Sequence, residues 1–260
     1  MDNLEIEKYI KFERGSLPLL ISVPHGGTLE IKGIPNRSQG VLGIDKATIE
    51  LAQELISHLQ KLSSNYFSTQ QTPSSIISKV RRKQIDLNRM QSEAYSPDSN
   101  LAEKFYLFYH DKIREVILEN INKFNKSILL DLHGFEKDKR PQGYRDVEII
   151  LGTNNLAAFF SEPVSVKNRA NNLRGTIIKK FIDLDIPIAP GHPRRKEYVL
   201  MGGFITQKYG ASEIEKSQAI QIELSDRIRI YDKELRNRVL ESLAEILLSH
   251  ISKSMQIGNF

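Results

Sequence analysis

The chain has 260 residues, enough for one large core, and length alone does not call for two domains. Its 40% hydrophobic and 27% charged residues are those of an ordinary globular protein, and its apolar runs fall far short of the roughly 20 residues of a membrane helix. Cysteine is absent, which excludes disulfides, thiolate metal sites and cysteine nucleophiles and leaves His, Asp and Glu as the hard ligands. The net charge of +5 is mild and spread without an aromatic–basic stripe, so no nucleic-acid partner is expected, and the excess would suit a carboxylate-bearing substrate. The start of the chain, Met1-Asp2-Asn3-Leu4-Glu5-Ile6-Glu7, is too acidic and broken for a secretory signal, so a cytoplasmic location and no membrane partner are expected.

No repeat, low-complexity tract or linker divides the sequence, so residues 1–260 are read as one domain. The run Leu19-Leu20-Ile21-Ser22-Val23 reads as a buried strand that gives way to Pro24-His25-Gly26-Gly27. Residues 45–62 carry Ile49, Ala52, Leu55, Ile56 and Leu59 at a helical period. A strand is expected at Ile76-Ile77-Ser78-Lys79-Val80, ahead of Ile85-Asp86-Leu87-Asn88-Arg89. A long helix over residues 101–124 gathers Leu101, Phe105, Tyr109, Ile113, Val116 and Ile117 on one face. The second buried run, Ile128-Leu129-Leu130-Asp131-Leu132, ends on His133-Gly134, and a further strand is expected over residues 147–151. A helix over residues 171–183 leads to Ile186-Pro187-Ile188-Ala189-Pro190, then to a polar, irregular stretch at 191–210 that reads as active-site loop. After the strand Ala219-Ile220-Gln221-Ile222-Glu223-Leu224, Asp232 caps a last helix with Leu235, Val239, Leu243, Ile246, Leu247 and Ile251 on its stripe. The alternation predicts an α/β fold, a central mixed and mostly parallel sheet with helices on both faces.

Two apolar strands that each end on His-Gly would deliver His25 and His133 to one edge of that sheet, where ligands gather in open α/β folds. Imidazole is the commonest neutral metal ligand, so the pair points first to zinc, and the glycine after each would let backbone approach the metal or substrate. A catalytic zinc site needs a third ligand, and the candidates are Glu30, Asp45 and Asp131, the last either ligand or support for His133; as a plain helix cap, Asp45 would be spent locally. Alternation puts Gln221 and Glu223 on one strand face, opposite the isoleucines, and a carboxylate ending an apolar strand is costly unless paired or functional. Beside metal-activated water such a glutamate is the usual general base and later proton donor. Asn88 and Arg89 would clamp a substrate carboxylate, with Asp86 orienting the arginine. Of the other histidines, His192 lies in the irregular stretch and would reach a substrate, His110 reads as core, and His58 and His250 as helix surface or rim.

Taken together, Ser22-Val23-Pro24-His25-Gly26-Gly27, Asp86-Leu87-Asn88-Arg89, Asp131-Leu132-His133-Gly134 and Gln221-Ile222-Glu223-Leu224 resemble the N-formylglutamate amidohydrolase family. Weaker echoes are Asp45, Tyr109-His110, and Gly202-Gly203 followed by Tyr209-Gly210, and the resemblance spans residues 19–230. That family is related in fold to the zinc carboxypeptidases and the aspartoacylases. The resemblance implies one zinc per chain held by His25 and His133, Glu223 as the catalytic glutamate, and Arg81 or Arg82 polarising the scissile carbonyl. Asn88 and Arg89 match the pair that holds substrate carboxylate in the aspartoacylases, with His192 and Gly203 placed near the substrate. Carboxypeptidases place a glutamate three residues after the first histidine, where this chain has Thr28, so Asp45 is expected as third ligand with Glu30 behind it. A glycine follows His133 where a family serine is common. The implied activity is hydrolysis of the amide of an N-formyl or N-acyl amino acid; the rivals are a metallo-carboxypeptidase acting on short peptides and a noncatalytic carboxylate-binding protein.

Overall fold

The computed structural model describes residues 6–139, 146–165 and 168–257. Its centre is a seven-stranded sheet built from β1 (Ile10–Glu13), β2 (Leu19–Val23), β3 (Ser74–Ser78), β4 (Ser127–Phe135), β5 (Ile149–Gly152), β6 (Ile188–Ala189) and β7 (Ser217–Ser225), in the order β1-β3-β2-β4-β7-β5-β6. The pairs β3–β2, β2–β4, β4–β7 and β5–β6 are parallel, while β1–β3 and β5–β7 are antiparallel. The central strands β2 and β4 are buried on both faces, which is why they read as mainly apolar runs, broken only by Ser22 and Asp131 before the histidines.

Helices cover both faces, as the alternation of the sequence requires. Alternate residues Leu19, Ile21, Leu130, Leu132, Ile220 and Ile222 pack under α1 (Thr48–Ser63), α4 (Leu173–Asp183) and α6 (Lys233–Ile257). Their neighbours Leu20, Leu129 and Ala219 face α3 (Asn100–Phe124) on the other side. Two short helices, α2 (Gln91–Ala94) and α5 (Phe204–Lys208), lie beside the carboxyl ends of the strands; α5 falls inside the stretch read from sequence as irregular. The expected strand at residues 76–80 ends instead at Ser78, and Val80 makes only a bridge to Leu29. β1 is not evident in the sequence: it is a four-residue edge strand with one fully buried side chain, too short to show a period. Asn172 caps α4 and Asp232 caps α6 through Leu235 N, at 3.0 Å. No helix among the described residues is long and apolar enough to cross a membrane.

Candidate metal centre and cavity

Strands β2 and β4 run side by side with Ser22 opposite Asp131, so both reach the same sheet edge. His25, two residues past β2, and His133, near the end of β4, bring their rings to a centroid distance of 4.9 Å. Asp45 comes from the loop ahead of α1. Its Oδ2 lies 3.1 Å from His133 Nδ1 and 3.7 Å from His25 Nδ1, and it also accepts from Gly134 N at 3.3 Å. One nitrogen or oxygen from each of the three buried side chains lies within 4.8 Å of the others. Asp45 is therefore no helix cap: α1 begins at Thr48 after Ala47, which adopts a left-handed turn at φ 60° without side-chain capping. That turn frees the Asp45 carboxylate to face the imidazoles, while its main-chain oxygen accepts from Thr48 Oγ1 at 2.7 Å.

Behind each imidazole stands a second carboxylate. His25 Nε2 donates to Asp86 Oδ1 at 2.7 Å and His133 Nε2 to Asp131 Oδ2 at 2.8 Å. These bonds hold both rings with Nδ1 turned toward Asp45, the arrangement by which outer carboxylates orient metal-ligating histidines. Asp131 is in turn held by Ser22 Oγ at 2.8 Å, itself 3.0 Å from Tyr109 Oη. Asp86 accepts from Arg82 Nε at 2.9 Å and Arg37 Nη1 at 3.5 Å. Burial alone would raise the Asp45 and Asp86 carboxyls, but the imidazoles, joined by Arg82 at Asp86, hold both below the ordinary carboxylate range. Burial likewise opposes charge on His133, yet Asp131 and Asp45 push its pKa well above the ordinary value. His25 Nδ1 is buried without a hydrogen-bond partner among the described residues. An orphaned buried nitrogen aimed at a carboxylate is what a cation bound between them would satisfy.

Glu223 stands directly beside this group, because β4 and β7 pair His133 with Glu223. Gln221, two residues earlier and on the same strand face, donates from Nε2 to Glu223 Oε1 at 2.8 Å. Burial pushes the Glu223 carboxyl up; His133 opposes the shift and Asp45 adds to it. His25, Asp45, His133 and Glu223 all open onto a cavity of about 630 Å³, whose walls also include Arg82, Asn88, Arg89 and Gly203.

The remaining candidates separate. Arg82 lines the cavity, but Arg81 points away: its Nε donates to Thr28 O at 2.7 Å and its Nη1 to Glu30 at 2.8 Å. The same exposed cluster, completed by Lys83 at 3.0 Å, takes Glu30 away from the histidines, so neither Arg81 nor Glu30 reaches the centre. His192 is exposed and outside the cavity, its Nδ1 accepting from Arg194 N at 3.2 Å. Asn88 is on the wall but already engaged, its Oδ1 accepting from Ile205 N at 2.8 Å and its Nδ2 lying 3.2 Å from His133 Nε2. Arg89 keeps its guanidinium largely uncommitted, 3.8 Å from Asp86 and 4.0 Å from Glu93. Asp86, read from sequence as an orienter of arginine, also orients His25. A signal for that existed in the run Ile85-Asp86-Leu87, where an acid sits between buried apolar residues. Arg37 gave none, since its contact with Asp86 spans 49 residues.

No family model matches the chain, and no curated protein matches it by sequence. Among solved structures, it matches an N-formylglutamate amidohydrolase from Ralstonia eutropha with a TM-score of 0.63 at 15% identity, over 96% of this chain and 99% of that one. A gene product of Agrobacterium tumefaciens is matched with a TM-score of 0.56 at 16% identity, over 99% of each chain. The molecule thus shares the α/β fold seen in these structures, a mixed sheet with helices on both faces, and at these identities the likeness is one of fold.

Proposed function

We propose that the chain is a metal-dependent amidohydrolase that cleaves the amide bond of an N-formyl or N-acyl amino acid. The observation that carries this reading is the convergence of His25 Nδ1, Asp45 and His133 Nδ1, with Glu223 in register beside His133 on the cavity wall. Two imidazole nitrogens and a carboxylate oxygen form a donor set used by catalytic zinc, and the buried, unpartnered His25 Nδ1 fits it. The fold shared with an N-formylglutamate amidohydrolase supports the same substrate class.

A zinc ion bound by these three residues would act as a Lewis acid, making water acidic near neutral pH. Glu223, its carboxyl raised by burial, accepts the proton of the attacking water and delivers it to the departing nitrogen. Arg82 presents charged N–H donors where negative charge develops on the carbonyl oxygen. Arg89 offers a planar fork for the free carboxylate of the substrate. Asn88 holds the wall: it ties the segment bearing Arg89 to the start of α5.

The test is a metal analysis of purified protein, followed by assays on N-formyl and longer N-acyl amino acids beside short peptides. About one divalent ion per chain is expected, with hydrolysis of the N-acyl acids that chelation abolishes and zinc restores. Full activity of metal-stripped protein would refute the mechanism. Turnover of peptides alone would make it a peptidase, and tight carboxylate binding without turnover a binding protein.

A further inference from the structure

Arg229 lies in a single π-helical turn, Arg227–Tyr231, just after β7, and is 1% exposed. Its guanidinium reaches main-chain carbonyls on three segments, two of them remote in sequence. Nε donates to Leu224 O at 3.0 Å, Nη2 to Phe135 O at 2.9 Å, and Nη1 to Lys46 O. Each acceptor sits one or two residues from a member of the candidate centre: Lys46 follows Asp45, Leu224 follows Glu223, and Phe135 is two beyond His133. Burying a cation is costly and is offset only when its donors are satisfied. Here one side chain bonds carbonyls near the ends of two strands and in the loop before α1 at once.

Gly134 belongs to the same device. A Cβ on Gly134 would lie 2.2 Å from Arg229 Nε and 2.5 Å from its Cζ, so the guanidinium rests on bare backbone beside His133. The glycine after His133, which also lines the cavity, makes room for Arg229.

We propose that Arg229 is a positioning residue, clamping the segments that carry Asp45, His133 and Glu223 into one unit so that their side chains converge before a cation arrives. The proposal rests on the metal-site reading for its consequence but not for its geometry, and two measurements separate them. The first is amide hydrogen exchange on metal-free full-length protein. R229K keeps the charge and loses the three-way fork; exchange should accelerate at least tenfold together at residues 44–48, 132–136 and 222–226, with α3 within twofold of wild type. Acceleration confined to residues 225–232 would overturn the clamp, whether or not the protein binds metal. The second is zinc affinity by chelator competition, expected to weaken about 10–100-fold, the range for residues that orient ligands. A lowered Tm with zinc affinity intact would make Arg229 a residue of the fold alone and overturn the proposal. Should R229K fail to fold, G134A displaces the guanidinium from the other side. It should weaken zinc binding to a similar degree and speed amide exchange together at residues 44–48 and 222–226; acceleration confined to residues 132–136 would refute the coupling. Wild-type protein that binds no divalent metal would end the metal reading, with hydrogen exchange still deciding the clamp.

Discussion

Histidine is buried in two very different ways in this molecule. In α3, His110 donates from Nδ1 to Tyr209 Oη at 2.9 Å and packs against Tyr106 and Phe204. Burial, helped by the Lys208 ammonium, pushes its pKa down to about 3, so it is a neutral core residue. His250 in α6 follows the same logic, accepting from Lys126 Nζ at 2.7 Å with its pKa lowered to about 4 by burial and that ammonium. At the carboxyl edge of the sheet the same ring has acids on both sides, Asp131 behind His133 and Asp45 in front, and the shift reverses. Burial is common to both regions. What makes an imidazole a candidate ligand is a carboxylate that fixes one nitrogen while the other is turned toward a second acid.

The largest expected effect comes from removing the one acid that does not touch an imidazole through a hydrogen bond. Glu223→Gln should lower turnover of N-acyl amino acids by about 10²–10⁴-fold, the usual contribution of general acid–base catalysis, while zinc content stays near that of wild type. Full activity in that variant would remove Glu223 from the chemistry. Next is the acid behind His25. Asp86→Asn should weaken zinc binding by about 10–100-fold, measured by competition with a chelator. If affinity moved less than twofold, the rule drawn from the two regions would fail at one of its two examples.

The fold was largely legible because the sheet is buried on both faces, so β2, β4 and β7 announce themselves as apolar runs and α1, α3 and α6 as helical stripes. His25, His133 and Glu223 were legible for the same reason: each is a polar residue where such a run stops. Asp45 was ambiguous between cap and ligand, since only the left-handed turn at Ala47 decides which way its carboxylate faces. Arg81 and Arg82 are neighbours in sequence, and nothing there tells that one joins Glu30 and Thr28 while the other joins Asp86. Arg229 was invisible because its partners are backbone carbonyls, which every residue has; α5 was missed because it is only five residues long.

The neutral region gives a smaller, pH-dependent test. Because the folded pKa of His110 lies below the ordinary value of 6.5, the unfolded chain binds the proton more readily than the native state. Above pH 6.5 both states are neutral there and this group contributes no slope; as pH falls from about 6.5 toward 3, it removes about 1.4 kcal/mol of stability per pH unit. His110→Gln retains a donor toward Tyr209 but cannot titrate. Urea unfolding at pH 7, 6 and 5 should therefore give a shallower loss for the variant, while zinc affinity stays within twofold of wild type. An equal slope in both proteins would mean that His110 is charged in the native state. A large loss of zinc affinity would mean that the two regions are not separate.

The smallest expected effect concerns the outermost group of the acid-centred network. Asp86 is shared: His25 and Arg82 bond it directly, whereas Arg89 stands 3.8 Å away with its side chain 42% exposed. Arg89 is thus the arginine of this cluster with most of its fork left for a ligand in the cavity. Arg89→Lys keeps the charge and loses the planar bidentate geometry. A hydrogen bond to a charged group is worth about 1.5–3 kcal/mol, and exposure to solvent reduces the expected loss on free N-acyl amino acids to about 1 kcal/mol, roughly fivefold in kcat/KM. The corresponding N-acyl amino acid amides, which offer no carboxylate to the fork, should lose much less. Kinetics on a matched acid and amide pair decide between two roles. A loss confined to the acid would make Arg89 a contact for the substrate carboxylate. Equal losses on both would place its influence on Asp86, and through Asp86 on His25, so that the acid-backed imidazole depends on the cavity wall as well as on the sheet.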